Sequence, residues 1–129
     1  MSTLTVSNVS DGSLSIPTTY VTNGSAKAWV NFNGTGTIAE RDSLNVSSLT
    51  DDGTALYQIS FTNAFSAADY ATAGFCGNDG TGANIATVLT KKYNEAANTT
   101  STANVAVVTT GGQYSDANLV AASIHGDLA

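Results

Sequence analysis

Between Ser43 and Thr62 the chain carries two runs of alternating character on either side of Asp51-Asp52-Gly53, and this pattern restricts the fold more than any other. Leu44 and Val46 alternate with Asn45 and Ser47; after the turn, Tyr57, Ile59 and Phe61 alternate with Gln58, Ser60 and Thr62. A period of two places one set of side chains on each face of a strand, and a turn ending in glycine between two such runs reads as a β-hairpin. One face of that hairpin is apolar and needs cover, which an antiparallel chain obtains from a second sheet. The pattern predicts an all-β protein, an antiparallel β-sandwich of jelly-roll-like type, rather than an α/β enzyme.

Composition agrees. Only 11% of the 129 residues are charged, and Thr, Ser, Asn and Gly are abundant, a mixture suited to short strands and polar turns. A chain of this length folds as one unit and removes roughly two thirds of its unfolded surface from water. Four Lys and Arg against ten Asp and Glu give a net charge of −6, so no basic face is available to neutralise phosphates and nucleic acid is excluded as a partner. No apolar run approaches the ~18 residues of a membrane span, and the start Met1-Ser2-Thr3-Leu4-Thr5 lacks a secretory leader pattern. Synthesis in a cytoplasm without membrane insertion is expected. The single Cys76, in Ala73-Gly74-Phe75-Cys76, reads as a packed inert thiol. Asn-X-Ser/Thr triplets at Asn8, Asn23, Asn33, Asn45 and Asn98 follow from the abundance of these residues.

The chain divides into residues 1–24, an N-terminal arm for assembly or anchoring, and residues 25–129, the sandwich domain. The arm has short apolar pieces, Leu4, Val6 and Val9, followed by the only proline, Pro17, and by Asn23-Gly24. An arm of this kind pairs with an edge of its own sheet or supplies a strand to a neighbouring subunit. Strands are predicted at about 26–33, 43–49, 55–62, 69–77, 84–90, 102–110 and 117–125, with turns at Asn33-Gly34-Thr35-Gly36, Asp51-Asp52-Gly53, residues 77–82 and Gly111-Gly112. Helical character is confined to the short stretches 64–69 and 94–97. The predicted core is Val30, Phe32, Leu44, Val46, Tyr57, Ile59, Phe61, Phe75, Val88, Val105, Val107, Leu119 and Ile124. Around it, Ala71, Ala73, Ala103, Ala106, Ala121 and Ala122 each bury little area, so self-association is expected to add burial.

Chemistry-bearing clusters are sparse. His125, the only histidine, stands near the C-terminus, and no Gly-X-Ser-X-Gly elbow accompanies it, so no catalytic residue is assigned. Glu40 and Asp42 flank Arg41 and would share a strand face; Asp51 and Asp52 are adjacent in a turn and do not oppose one another as glycosidase carboxyls must. Asn78-Asp79-Gly80-Thr81 offers one carboxylate where a calcium site gathers several, so neither a metal nor a cofactor is expected. Lys91-Lys92 is a solvated basic pair. For recognition the candidates are Asn78, Asp79, Tyr93 and Tyr114, on loops 77–82, 93–101 and 111–116, together with Tyr20. Trp29, on the strand face opposite Val30 and Phe32, is the candidate packing or oligomer anchor, and in a carbohydrate-binding module it would be part of a sugar platform.

The run Ala28-Trp29-Val30-Asn31-Phe32-Asn33-Gly34-Thr35-Gly36, then Arg41-Asp42-Ser43, Asn45 to Gly53 and Tyr57-Gln58-Ile59-Ser60-Phe61, resembles a module common in tail-fibre-like and other virion proteins of tailed phages. The resemblance covers roughly residues 26–75, and Ser2-Thr3-Leu4-Thr5-Val6 is similar to the start of such proteins. It implies a virion surface component made in a bacterial cytoplasm, often a homotrimer, with a β-sandwich or jelly-roll head and no catalytic residues. As a fibre or adhesin it would anchor to other virion proteins through the arm and offer its loops to a host glycan or protein. As a capsid decoration protein it would lie across capsomers.

Overall fold

The computed structural model describes residues 2–78, 87–91 and 97–129. An arm of two three-residue strands, β1 (Asn8–Ser10) and β2 (Ser15–Pro17), and one helix, α1 (Thr18–Gly24), precedes eight strands: β3 (Ala28–Asn33), β4 (Ala39–Leu44), β5 (Val46–Gly53), β6 (Leu56–Phe61), β7 (Ala71–Gly77), β8 (Thr87–Lys91), β9 (Thr102–Thr109) and β10 (Leu119–His125). These eight form two antiparallel four-stranded sheets, ordered β4-β3-β10-β7 and β5-β6-β9-β8. The protein is an antiparallel β-sandwich.

Alternation dictates the core. Ala28, Val30 and Phe32 of β3 and Val120, Ala122 and Ile124 of β10 face Tyr57, Ile59 and Phe61 of β6 and Ala103, Val105 and Val107 of β9, and all are buried. Each large apolar side chain so buried contributes about 1.5–3 kcal/mol. Edge-to-face rings strengthen both ends: Phe32 against Tyr57 with centroids 5.1 Å apart, and Phe61 against Phe65 at 4.8 Å and Tyr70 at 5.7 Å.

The expected strand at 43–49 is two strands in different sheets. Asn45 takes a left-handed backbone conformation (φ 57°) between them, turning a continuous extended stretch from β4 into β5. Its side chain holds the corner: Asn45 Oδ1 accepts from the Asn63 backbone N–H (2.7 Å), and Asn45 Nδ2 donates to the Asn63 carbonyl (3.1 Å). The corner breaks the alternation, so Leu44 is 50% exposed instead of joining the core, and Val46 is half-buried. The hairpin itself is present, with Leu49 opposite Ile59 and Asp51 opposite Tyr57, but its turn is Thr54-Ala55 rather than Asp51-Asp52-Gly53. Ala55 adopts φ 60° there, and Gly53 sits at a bulge.

Phe75, also expected inside, is 60% exposed. Along β7 the inward positions opposite Val120, Ala122 and Ile124 are Cys76, Gly74 and Thr72. At Gly74 a side chain would strike the Ala121 carbonyl and Leu89, so the strand approaches β10 and β8 too closely for anything larger than glycine to face inward. Phe75 therefore takes the outer face. Leu119 is half-buried, whereas Phe65, Val120 and Ala117 are core residues outside the predicted set. The side chain of Val88 lies outside the described residues. Residues 64–69 form bends and one bridge, Phe65 to Leu128.

Replacing Asn45 separates its two roles. Asn45→Gly keeps the backbone free but removes the side-chain bonds to Asn63, with an expected loss of about 1–2 kcal/mol. Asn45→Val adds the cost of a β-branched residue at positive φ, a further ~1–3 kcal/mol. Urea unfolding should rank wild type above Gly and Gly above Val, with the slope unchanged; equal stability of all three would show the corner to be indifferent to this residue.

Candidate functional site

Strand direction gives the sandwich two unlike ends. β3, β5, β7 and β9 run from one end to the other, and β4, β6, β8 and β10 return. One end therefore carries residues 34–38, 54–55, the chain leaving Gly77, and residues 110–118. The opposite end carries the Asn45 corner, residues 62–70, the segment 97–101 and the arm, which enters β3 through Ser25-Ala26-Lys27.

The first end is fixed by a tyrosine staple. The Tyr57 hydroxyl, buried at the head of β6, is directed at the Gly34 carbonyl (2.9 Å) and at Asp116 Oδ1 (3.2 Å). Asp116 Oδ1 also accepts the Ala55 backbone N–H at 2.6 Å, and the Gly34 N–H donates to the Ala117 carbonyl at 2.9 Å. Two connections thus meet on this phenol, and the third, at Ala55, is tied in through Asp116. Burial, and then the Asp116 charge, push the Tyr57 hydroxyl well above the ordinary tyrosine range. Gly34 is obligatory, because a Cβ there would overlap the Tyr57 hydroxyl and press on the Ala117 carbonyl. Sequence reasoning assigned no role to Asp116; its signal was a carboxylate three residues ahead of β10, without a basic neighbour.

Of the loop residues expected to recognise a ligand, Asn78 and Tyr114 are at this stapled end. Asn78 Oδ1 accepts the Asn118 backbone N–H (2.8 Å), and Tyr114, 42% exposed, bridges back to Val108. Asp79 and Tyr93 lie outside the described residues. The third expected loop is at the other end: Thr100 and Ser101 accept from the Phe65 and Phe61 backbone N–H groups, and Asn98 Oδ1 accepts from the Asn104 N–H. Among the described residues, Asn78 and residues 111–116 thus share one end, and residues 97–101 lie at the other. Tyr20 is on the arm and exposed.

The arm end holds His125, whose Nε2 is 3.0 Å from Ser123 Oγ. Asn23, Ser66, Asp69, Tyr70 and Asp127 border a shallow depression of about 320 Å³ beside it. Burial raises the Tyr70 hydroxyl to about 12, and it donates to the Thr102 carbonyl at 2.6 Å. Among the described residues no three His, Cys, Asp or Glu side chains come together as metal ligands. The Glu40 and Asp42 carboxylates do not share a face: a bulge at Arg41 shifts the register, Glu40 accepts the Ser43 hydroxyl (2.8 Å), and Asp42 stands opposite Asn31.

The third feature is the outer face of the β4-β3-β10-β7 sheet. Leu44, Trp29, Ser123 and Ala73 form one row across it, and Asp42, Asn31, Ala121 and Phe75 the next. Trp29 and Phe75, distant in sequence, flank a floor of alanine and serine and border an open groove of about 470 Å³. Arg41 Nη1 donates to Asn31 Oδ1 (3.1 Å) and to the Phe32 carbonyl (3.0 Å), which ties the groove's amide to the sheet. Compared with protein-family models, curated proteins and solved structures, the chain matches none.

Two expectations test the end structures. Gly34→Ala should cost about 1–3 kcal/mol through overpacking against Tyr57, read as a lower urea midpoint, whereas Gly24→Ala, in open space, should leave the midpoint in place. The alkaline limb follows from the raised tyrosine hydroxyls. Because Tyr57 and Tyr70 hold their protons more tightly folded than unfolded, their stabilisation is complete below pH 10 and falls as pH rises, the Tyr70 part being lost by about pH 12. Melting temperature measured from pH 9 to 12 should drop in wild type and drop less in Tyr57→Phe and Tyr70→Phe; parallel curves would refute the linkage.

Proposed function

We propose that this chain is a non-enzymatic, self-associating structural module of a tailed-phage virion surface, of fibre or adhesin type, anchored by its arm and presenting the Tyr57-stapled loop end to a host glycan or protein. The observation that carries this reading is the polarity of the sandwich. The arm leaves from one end, and the glycine-bearing loops 34–38 and 110–118, with Asn78 and Tyr114, gather at the other. An anchor and a display surface at opposite ends is the arrangement an attachment module requires. The virion assignment rests on the resemblance of residues 26–75 to tailed-phage modules.

Head decoration is the second reading, favoured by the open apolar face around Trp29 and Phe75, which would suit lying flat on a capsomer. Electron microscopy of purified particles that contain this protein discriminates them. Sparse density on the tail or on appendages, with residues 110–118 outermost, is expected for the fibre reading. Many copies spread over capsomers would replace it with decoration, and absence of the chain from particles would overturn both.

A further inference from the structure

Residues 2–24 hold an unusual concentration of apolar side chains in water. Leu4, Leu14 and Tyr20 are 85%, 68% and 72% exposed, Val6, Val9, Ile16 and Val21 are close to half exposed, and α1 buries none of its residues. Two three-residue strands and a seven-residue helix fall below the size at which a hairpin or helix holds itself together in water. The arm's internal bonds are those of a turn: Asp11 Oδ1 accepts from Ser13 and Leu14, and Thr18 Oγ1 donates to the Val6 and Ser7 carbonyls. Lys27 pins its end, with Nζ donating to the Thr22 and Ser25 carbonyls at the last turn of α1. The arm therefore leaves from the base of the sandwich, and its apolar side chains remain uncovered by the sheet to which it is joined.

We infer that the arm of one copy docks on the Trp29–Phe75 face of a second copy of this chain. This rests on the self-association in the proposed function and names the two surfaces that make it. Both carry exposed apolar side chains and almost no charge: Asp11 is the only charged side chain in residues 2–24, and none of the residues bordering the groove is charged. Such a match favours this partner over an acidic glycan, a nucleic acid or a charged lipid surface. The outward-facing floor of Ala73, Ala121 and Ser123 between two aromatic walls leaves room for branched side chains such as Leu4 and Leu14. Beside it, among the described residues β7 is a sheet edge with neither charge nor proline, a kind of edge that pairs readily with a further strand.

Trp29 is the only tryptophan, so its emission reports on the groove. The full-length protein is diluted from high micromolar to nanomolar concentration while mass is followed by light scattering and Trp29 by fluorescence, in wild type and in Leu4→Asp, Leu14→Asp and Phe75→Asp. All three positions are exposed, so melting temperatures at low concentration should be unchanged. Wild type is expected to be oligomeric with blue-shifted Trp29, and each variant should raise the dissociation constant roughly 30-fold or more and red-shift the emission, as loss of a central anchor does. If Phe75→Asp dissociates the oligomer and the arm variants do not, the sheet faces pair directly; the arm assignment fails and self-association stands. If the arm variants dissociate it while Phe75→Asp and Trp29 emission are unaffected, the arm docks elsewhere and the assignment also fails. A monomer whose Trp29 emission depends on the arm places the arm on its own sheet and overturns docking between copies. A monomer with Trp29 indifferent to the arm overturns both this inference and the self-association in the proposed function.

Discussion

The architecture depends on one residue in the left-handed region. Residues 39–53 are extended almost throughout, yet they serve as the edge of one sheet and then of the other because the chain turns at Asn45. Asparagine tolerates this backbone geometry better than most residues, and its short amide reaches local backbone groups. Here the amide bonds Asn63, at the end of β6, so the corner is fixed to the strand that pairs with β5. The chain thus crosses from one sheet to the other at this edge, as it does again from β6 to β7, from β7 to β8 and from β9 to β10.

The packing between the sheets mixes small residues spread along the strands with aromatic rings gathered at the ends. Alanine occupies core positions 28, 103, 117 and 122, which lets the sheets approach but offers little area. Phe32 and Tyr57 fill one end, and Phe61, Phe65 and Tyr70 fill the other. Each end also has a buried phenol bonded to backbone carbonyl, Tyr57 to Gly34 and Tyr70 to Thr102. Loops set on such anchors keep a defined position without being buried themselves, which is what a presenting surface needs.

Strands with clean alternation were legible in the sequence: β3, β6, β9 and β10 lie within two residues of the spans their periodicity predicts. The sandwich class followed from the same signal. What alternation misses is any position at which the backbone leaves the pleat. Asn45, the Arg41 bulge and the Thr54-Ala55 turn each shift the phase, and with it the fate of Leu44, Glu40 and the Asp51-Asp52 pair. Phe75 was misread for another reason, since a phenylalanine beside a glycine gives no sign that the glycine takes the inward place. The groove between Trp29 and Phe75 depends on β10 lying between β3 and β7, a long-range order with no local signature. The staple was half legible: Tyr57 stood out as an inward residue, but its partners Gly34 and Asp116 are brought to it only by the closed sandwich.

The arm and the outer sheet face belong to one physical problem. A domain with an alanine-rich core has little stability to spare, and it carries in addition a segment that orders its backbone while burying almost nothing. Ordering residues 2–24 in isolation costs conformational entropy without compensating burial, so the folded arm is favourable only where its Leu, Val, Ile and Tyr side chains meet another apolar surface. Each copy carries an apolar surface of its own between half-buried Trp29 and exposed Phe75. The proposed docking of the arm on that face of a second copy would relieve both deficits at once and would couple the order of the arm to the number of copies engaged.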